Sequence, residues 1–229
     1  PANNDQNAGG GGGANGGAGG QGGDSWNTNL SIGGLGGTAF PASSSRVVMG
    51  GGGGAGSSNN SSNFMSSSGA PGGGIVMIRA GNISGNATIT ASGLAAYNST
   101  PNDGGGGGGA GGSIVFLYST VTGTPAVTLT ANGGRGGDAW DAGTFNNANR
   151  HGPGGGGGGG VALYSSNGAT VTPSVTGGAN GITLNNASAS YGATSGSAGV
   201  TAGSITVDSS PGPHSASACA DVMFDTLGC

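Results

Sequence analysis

The chain has 229 residues, 60 of them glycine, with four arginines, eight aspartates, no lysine and no glutamate, for a net charge of −4. The strong helix formers are missing while glycine and β-branched residues abound, which argues against an α-rich fold. Four scattered arginines cannot neutralise a phosphate backbone, so nucleic acid is not an expected partner. No stretch approaches the roughly 20 apolar residues of a spanning helix.

Two glycine-rich classes are also set aside. Collagen needs a strict Gly-X-Y period and abundant proline, whereas the glycines here run unbroken and prolines number nine. Disorder goes with high net charge and few β-branched residues. The clusters of Val, Ile and Thr here predict a folded chain.

In chain order, residues 9–23 are almost all glycine and end at Asp24-Ser-Trp26. A polar loop, 24–49, contains Phe40 and Arg46 and leads to Gly50–Gly54. A second loop, 55–71, contains Phe64. Gly72–Gly74 then opens onto Ile75-Val-Met-Ile-Arg, an apolar strand. The turn Gly81-Asn-Ile-Ser-Gly-Asn86 leads to an alternating strand, Ala87-Thr-Ile-Thr-Ala91.

The same order returns twice. Gly104–Gly112, broken only by Ala110, opens onto Ser113-Ile-Val-Phe-Leu-Tyr118; Thr122-Gly-Thr-Pro125 turns into Ala126-Val-Thr-Leu-Thr-Ala131. Gly154–Gly160 opens onto Val161-Ala-Leu-Tyr164, with a turn at Asn167-Gly168. The turns are expected to join paired strands, and Ile75, Ile114 and Val161 are taken as equivalent positions. The first strand of each unit is expected to be buried on both faces and the second to be half-exposed. Gly19-Gly-Gln-Gly-Gly-Asp-Ser-Trp26 is matched by Gly133-Gly-Arg-Gly-Gly-Asp-Ala-Trp140, followed by Phe145 and Arg150 as the first copy is by Phe40 and Arg46. Gly181-Ile-Thr-Leu and Gly203-Ser-Ile-Thr-Val read as two strands of an atypical last unit. The single domain thus divides into units 1–71, 72–103, 104–153 and 154–229, with 208–229 a cysteine-containing tail.

A glycine-only stretch can adopt the extended three-fold polyproline II-type helix, about 3.1 Å per residue. Seven such residues span roughly 20 Å, as do six residues of strand. The expected fold is all-β with polyglycine II helices: a short-stranded sheet or sandwich layered against a bundle of glycine helices and built from repeats. Ile75, Met77, Ile114, Phe116, Val161 and Leu163 are the expected core.

The glycine runs opening onto Ser113–Leu117 and Val161–Tyr164, with Thr128-Leu-Thr-Ala-Asn-Gly-Gly-Arg-Gly-Gly-Asp138 between them, resemble glycine-rich repeat segments of large secreted microbial surface and filament proteins. The likeness covers residues 72–165 best and 9–54 in part. A looser one is to glycine-rich phage tail-tip adhesins, from which this chain departs in its long apolar strands. The resemblance implies an extracellular structural or adhesive part and carries no active site.

Asp24 and Asp138 lie in a Gly-Gly-X-Gly-X-Asp pattern like that of calcium-binding β-rolls, and Asp141 stands near the second. Calcium prefers hard oxygen ligands, so these three are the metal candidates. Lone copies lack the tandem partner such sites need, and Asp can equally cap a turn. No other cofactor is indicated. His151 and His214 are isolated loop residues expected in solvent. No zinc spacing, nucleophile elbow or phosphate loop occurs, and an enzyme is not expected.

Trp26, Phe64, Tyr97 and Trp140 are candidate contact residues on the loops 24–49, 55–71, 94–103 and 138–153; they can equally cover the glycine layer. Cys219 and Cys229 suit a local disulfide, implying an oxidising compartment, or two free or intermolecular thiols. Asn-X-Ser/Thr acceptor sites fall at Asn29, Asn59, Asn60, Asn82, Asn86, Asn98 and Asn186. The start in the glycine-rich part of a unit suggests a processed chain or a fragment.

The leading expectation is a self-associating subunit of an extracellular fibre or surface layer, with itself as partner. The alternative is an adhesin whose loops bind a glycan or surface protein. A third reading, ice binding, requires a flat regular threonine or glycine face.

Overall fold

The computed structural model describes residues 6–26, 32–40, 43, 46–59, 65–98, 103–139, 150–183 and 189–205. Among these the chain is β-rich and contains no α-helix. The described residues form seven strands: β1 (Ile75–Ser84), β2 (Ala87–Thr90), β3 (Ser113–Thr122), β4 (Ala126–Thr130), β5 (Val161–Tyr164), β6 (Thr170–Ser174) and β7 (Val200–Ala202). They form two sheets, ordered β1-β3-β5-β7 and β2-β4-β6, and every pairing is parallel.

The turns therefore do not close hairpins, contrary to the expectation from sequence. Each carries the chain from one sheet to the other. Gly85, Gly123 and Gly168 hold these corners with φ of 78°, 77° and 79°, a left-handed conformation that side chains disfavour. The return path from β2 to β3, and from β4 to β5, runs through glycine segments and a loop, which supplies the long crossover that parallel strands require.

Register corrects the alignment of the units by one residue. Ile75 pairs with Ser113, and Ser113 with Val161, so Val76, not Ile75, is level with Ile114. A one-residue slip exchanges the two faces of a strand. Ile114, Phe116 and Tyr118 of β3 consequently point into the space between the sheets, against Val127 and Leu129 of β4, with Val76, Ile83, Ile89 and Val171 at the margin. Val115, Leu117, Val161 and Leu163 form a second cluster on the other face of that sheet, covered by Val47, Ala202 and Ile205.

Four of the expected core residues are thus buried, divided between two layers. Ile75 and Met77 are not; they are 40% and 44% exposed. They occupy the outer face of β1, the edge strand, beyond the reach of the covering segments. The last strand likewise lies at 200–202, just ahead of the Gly203-Ser-Ile-Thr segment read as a strand, and Thr183 makes only isolated bridges to Ala139 and Ala189.

The glycine segments continue the strands. Segments 69–73, 104–112, 152–160 and 193–199 lead into β1, β3, β5 and β7; segments 91–97, 131–139 and 175–181 extend β2, β4 and β6. Their hydrogen bonds follow a three-residue period. Gly104, Gly107 and Ala110 donate to Ser57, Gly54 and Gly51, while Gly105, Gly108 and Gly111 donate to Gly152, Gly155 and Gly158. Gly109 and Gly112 donate to Leu94 and Ala91. The carbonyls of the same segment serve other neighbours: Gly105 and Gly108 accept from Gly10 and Gly13, Gly106 and Gly109 from Gly137 and Gly134, and Gly107 and Ala110 from Ala70 and Gly73. Segment 104–112 is thereby bonded on all sides.

Outside the corner and turn positions, none of these glycines has left-handed φ. What they contribute is a missing side chain. A Cβ at Gly107 would overlap the Gly11 carbonyl, and one at Gly157 the Gly109 carbonyl.

Candidate functional site

The end of the glycine bundle away from the sheets carries Asp24, Asp103, Asp138 and His151. Asp103 and His151 precede segments 104–112 and 152–160, whose parallel bonding sets them side by side. Asp103 is fully buried; its Oδ1 accepts from the Asn59 N–H at 2.7 Å and its Oδ2 from the Ser58 hydroxyl at 3.0 Å. Asn7 donates to the Asn59 side-chain carbonyl at 2.8 Å. His151, expected in solvent, is fully buried. Burial lowers its pKa to about 4, with Asp103 acting weakly in the opposite direction. The glycine on its C-terminal side allows this, because Gly152 packs against Gly9 and Gly23 with no side chain between them.

Asp138 ties three segments together. Its Oδ1 accepts from Arg135 and from the Ile182 N–H, the latter at 2.8 Å, and its own N–H donates to Asn98 Oδ1 at 3.1 Å. The carboxylate faces donors and already holds a cation, so it is a poor calcium ligand in this setting. Asp24 hydrogen-bonds through its N–H to the Tyr191 carbonyl at 2.9 Å, and burial raises the pKa of its carboxyl. Asp24 and Asp138 occupy the same end of the bundle, yet the described residues contain no group of three or more His, Cys, Asp or Glu able to hold a metal.

Two arginines make aromatic contacts there and nearby. Arg46 lies over the Phe40 ring at 4.0 Å, as their shared loop allows, and Arg150 over Tyr191 at 4.9 Å. Tyr191 also donates to the Ser25 carbonyl at 3.0 Å. Of the aromatic candidates, Trp26 is half-buried and Tyr97 is exposed. Phe64, Trp140, Asp141, His214, Cys219 and Cys229 lie outside the described residues. Asn82, Asn86 and Asn98 are cross-links between adjacent segments: Asn82 bonds Thr120 and Thr122, Asn86 accepts from Ala126 N–H, and Asn98 from Asp138 N–H.

Comparison with known protein families, with curated proteins and with solved structures finds no match.

Two further surfaces stand out beside the loop-bearing end. The first is the β1 edge, where Ile75, Met77 and Ile78 are exposed. The second is the outer face of β2-β4-β6, where threonines recur in register. Sequence reasoning placed His151 in solvent and passed over Asp103 and the buried Asn15, which donates to the Gly111 carbonyl at 2.9 Å. The available signal was position: Asp103 stands directly before one glycine run and His151 three residues before another. No described helix is long and apolar enough to cross a membrane.

Proposed function

We propose that the chain is a structural, self-associating subunit of an extracellular fibre or surface layer, built from repeated units in which polyglycine II-type helices continue the strands. The observation that carries this reading is a ladder that is open-ended among the described residues. Ser113 donates to the Gly74 carbonyl, Val161 to Gly112 and Val200 to Gly160, each at 2.9–3.0 Å. The series starts at Ile75, whose N–H is the counterpart donor, and ends at Gly199, whose carbonyl is the counterpart acceptor. A second copy can extend it head to tail, Ile75 of one chain donating to Gly199 of the next. The β1 edge offers ten residues without proline or lysine, the devices that usually block edge pairing. The three-residue hydrogen-bond period supports the glycine-helix assignment, and the resemblance to microbial surface proteins agrees with an extracellular setting.

The test is light scattering and negative-stain microscopy of the purified chain over a concentration series. Fibres or concentration-dependent oligomers are expected, and Met77→Lys with Ile75→Lys should suppress them while leaving the circular dichroism spectrum unchanged. Monomers alone at every concentration would overturn the proposal. A second reading, an adhesin, is favoured by the anchoring of loop residues Asn98, Asp103, Asp138 and His151 at one end of the bundle. Deletion of a loop would then abolish binding to cells or glycans with the fold intact.

A further inference from the structure

The sheet β2-β4-β6 has a polar outer face with two-dimensional order. Its parallel register aligns Thr88, Thr128 and Thr172 in one row and Thr90, Thr130 and Ser174 in the next. Thr170 extends the array on one side, beside Ala126. Between these rows the side chains of Ile89, Leu129 and Pro173 turn the other way, Leu129 into the core. No Asp or Arg lies on any of the three strands.

The hydroxyls of this face are uncommitted. Among the described residues, those of Thr88, Thr90, Thr128, Thr130, Thr170 and Thr172 take part in no hydrogen bond within the chain. The threonines of the other sheet behave differently. The Thr120 hydroxyl lies 3.0 Å from two acceptors, the Gly81 carbonyl and Asn82 Oδ1, and shares its one proton with them, and Thr122 is bonded to Asn82 as well. Threonine is therefore used internally on one sheet and left facing solvent on the other.

The bonding of the glycine segments that continue these strands restrains the twist of the face. Sheets ordinarily rotate by about 20–25° from strand to strand. Here the strands run on into glycine segments that stay bonded along their own row, Gly93 to Asn132 and Gly133 to Thr176, through to Ala96 with Arg135 and Gly136 with Ala179. The same segments are bonded to the row beneath, Gly134 to Gly109 and Gly178 to Gly157. An ordinary twist would shear the bonds between rows.

Such a face is a mesh of about 4.8 Å between strands and 6.6 Å between alternate residues. Tetrahedral water with O–H···O bonds of about 2.75 Å places second-neighbour oxygens at about 4.5 Å and the stacking repeat of hexagonal ice at about 7.3 Å. Across three strands the mismatch stays well below one water diameter. Each threonine supplies a hydroxyl to join that lattice and a methyl group to hold a water cage beside it. We infer that the outer face of β2-β4-β6 binds crystalline water, with Thr88, Thr90, Thr128, Thr130 and Thr172 as the contact residues.

The test is partition of the folded chain into a slowly growing ice hemisphere, together with thermal hysteresis. Enrichment in the ice and a measurable hysteresis are expected. Thr128→Tyr, at the centre of the array, should reduce both to the level of a non-binding control protein, and Thr172→Tyr should do the same if the first variant folds poorly. Thr201→Tyr, an exposed substitution on the other sheet, should change neither. Exclusion of the folded wild-type chain from ice would overturn the inference. So would full ice binding by a folded Thr128→Tyr chain, or retention on insoluble polysaccharide without partition into ice. Self-association plays no part in the argument, and an ice-binding monomer would satisfy it.

Discussion

The glycine bundle and the paired sheets are two solutions to the same ladder. In the sheets, backbone hydrogen bonds run in one direction only, along β1-β3-β5-β7 or β2-β4-β6, and side chains such as Leu129 and Phe116 fill the gap between layers. In the bundle, the absence of side chains closes that gap, and backbone bonds run within rows and between them. The sheets are held by apolar burial, which tolerates some change of shape. The bundle is held by backbone contact, which leaves no room for an added atom.

That comparison predicts the largest effect at an interior glycine. Gly157→Ala would press a methyl group onto the Gly109 carbonyl, with backbone on both sides. A loss of about 3 kcal/mol or more is expected in denaturant melts, or failure to fold. Leu129→Ala in the sheet core should cost about 2–5 kcal/mol, with the fold retained. If the glycine variant proves the milder of the two, the bundle is looser than its bonding implies.

His151 gives the next effect and confines it to the bundle end. Its folded pKa, about 4, lies below the unfolded value of 6.5. Between those pH values the unfolded chain binds a proton that the folded chain does not. Stability should therefore fall as pH drops from 6.5 toward 4, by about 3 kcal/mol in all, and be level with respect to this group above 6.5. His151→Asn should remove that slope in melts run at pH 4.5 and 7. An unchanged slope would mean that His151 titrates as in solvent.

Asp138→Asn should be milder. The ion pair with Arg135 is partly exposed, so its loss should cost at most about 1 kcal/mol, while the amide oxygen can still accept from Ile182. Calcium should leave the melting temperature of the wild-type chain unchanged; a rise would restore Asp138 as a metal ligand. The smallest effect is expected at Gly81→Ala on β1, where an added methyl meets nothing within 4 Å. It should change stability by no more than about 0.5 kcal/mol.

Much of the β architecture was legible along the chain. The runs Ile114–Tyr118 and Val161–Leu163 announced strands buried on both faces, the alternation in Ala126–Thr130 a half-exposed one, and Gly85, Gly123 and Gly168 the corners. These are local properties, set by side-chain period and by backbone conformations that glycine alone adopts cheaply. Less of the candidate site could be read. Asp138 carried a calcium-like pattern, but besides the nearby Arg135 its hydrogen-bond partners are residues 98 and 182, distant in sequence, which makes it a staple between segments. The threonine face was named only as a condition, since rows such as Thr88-Thr128-Thr172 exist only once register is set.

Tertiary structure alone decided that the strands are parallel and that β1 is an edge exposing Ile75 and Met77. The reason is long-range: pairing Ile75 with Ser113 depends on how the glycine segments 69–73 and 104–112 lie against each other. Glycine sequences carry no side-chain pattern from which that alignment could be read. Burial of His151 follows from the same packing. The sequence by itself determined which stretches lack side chains and which alternate them; the contact of bare backbone with bare backbone decided where everything else sits.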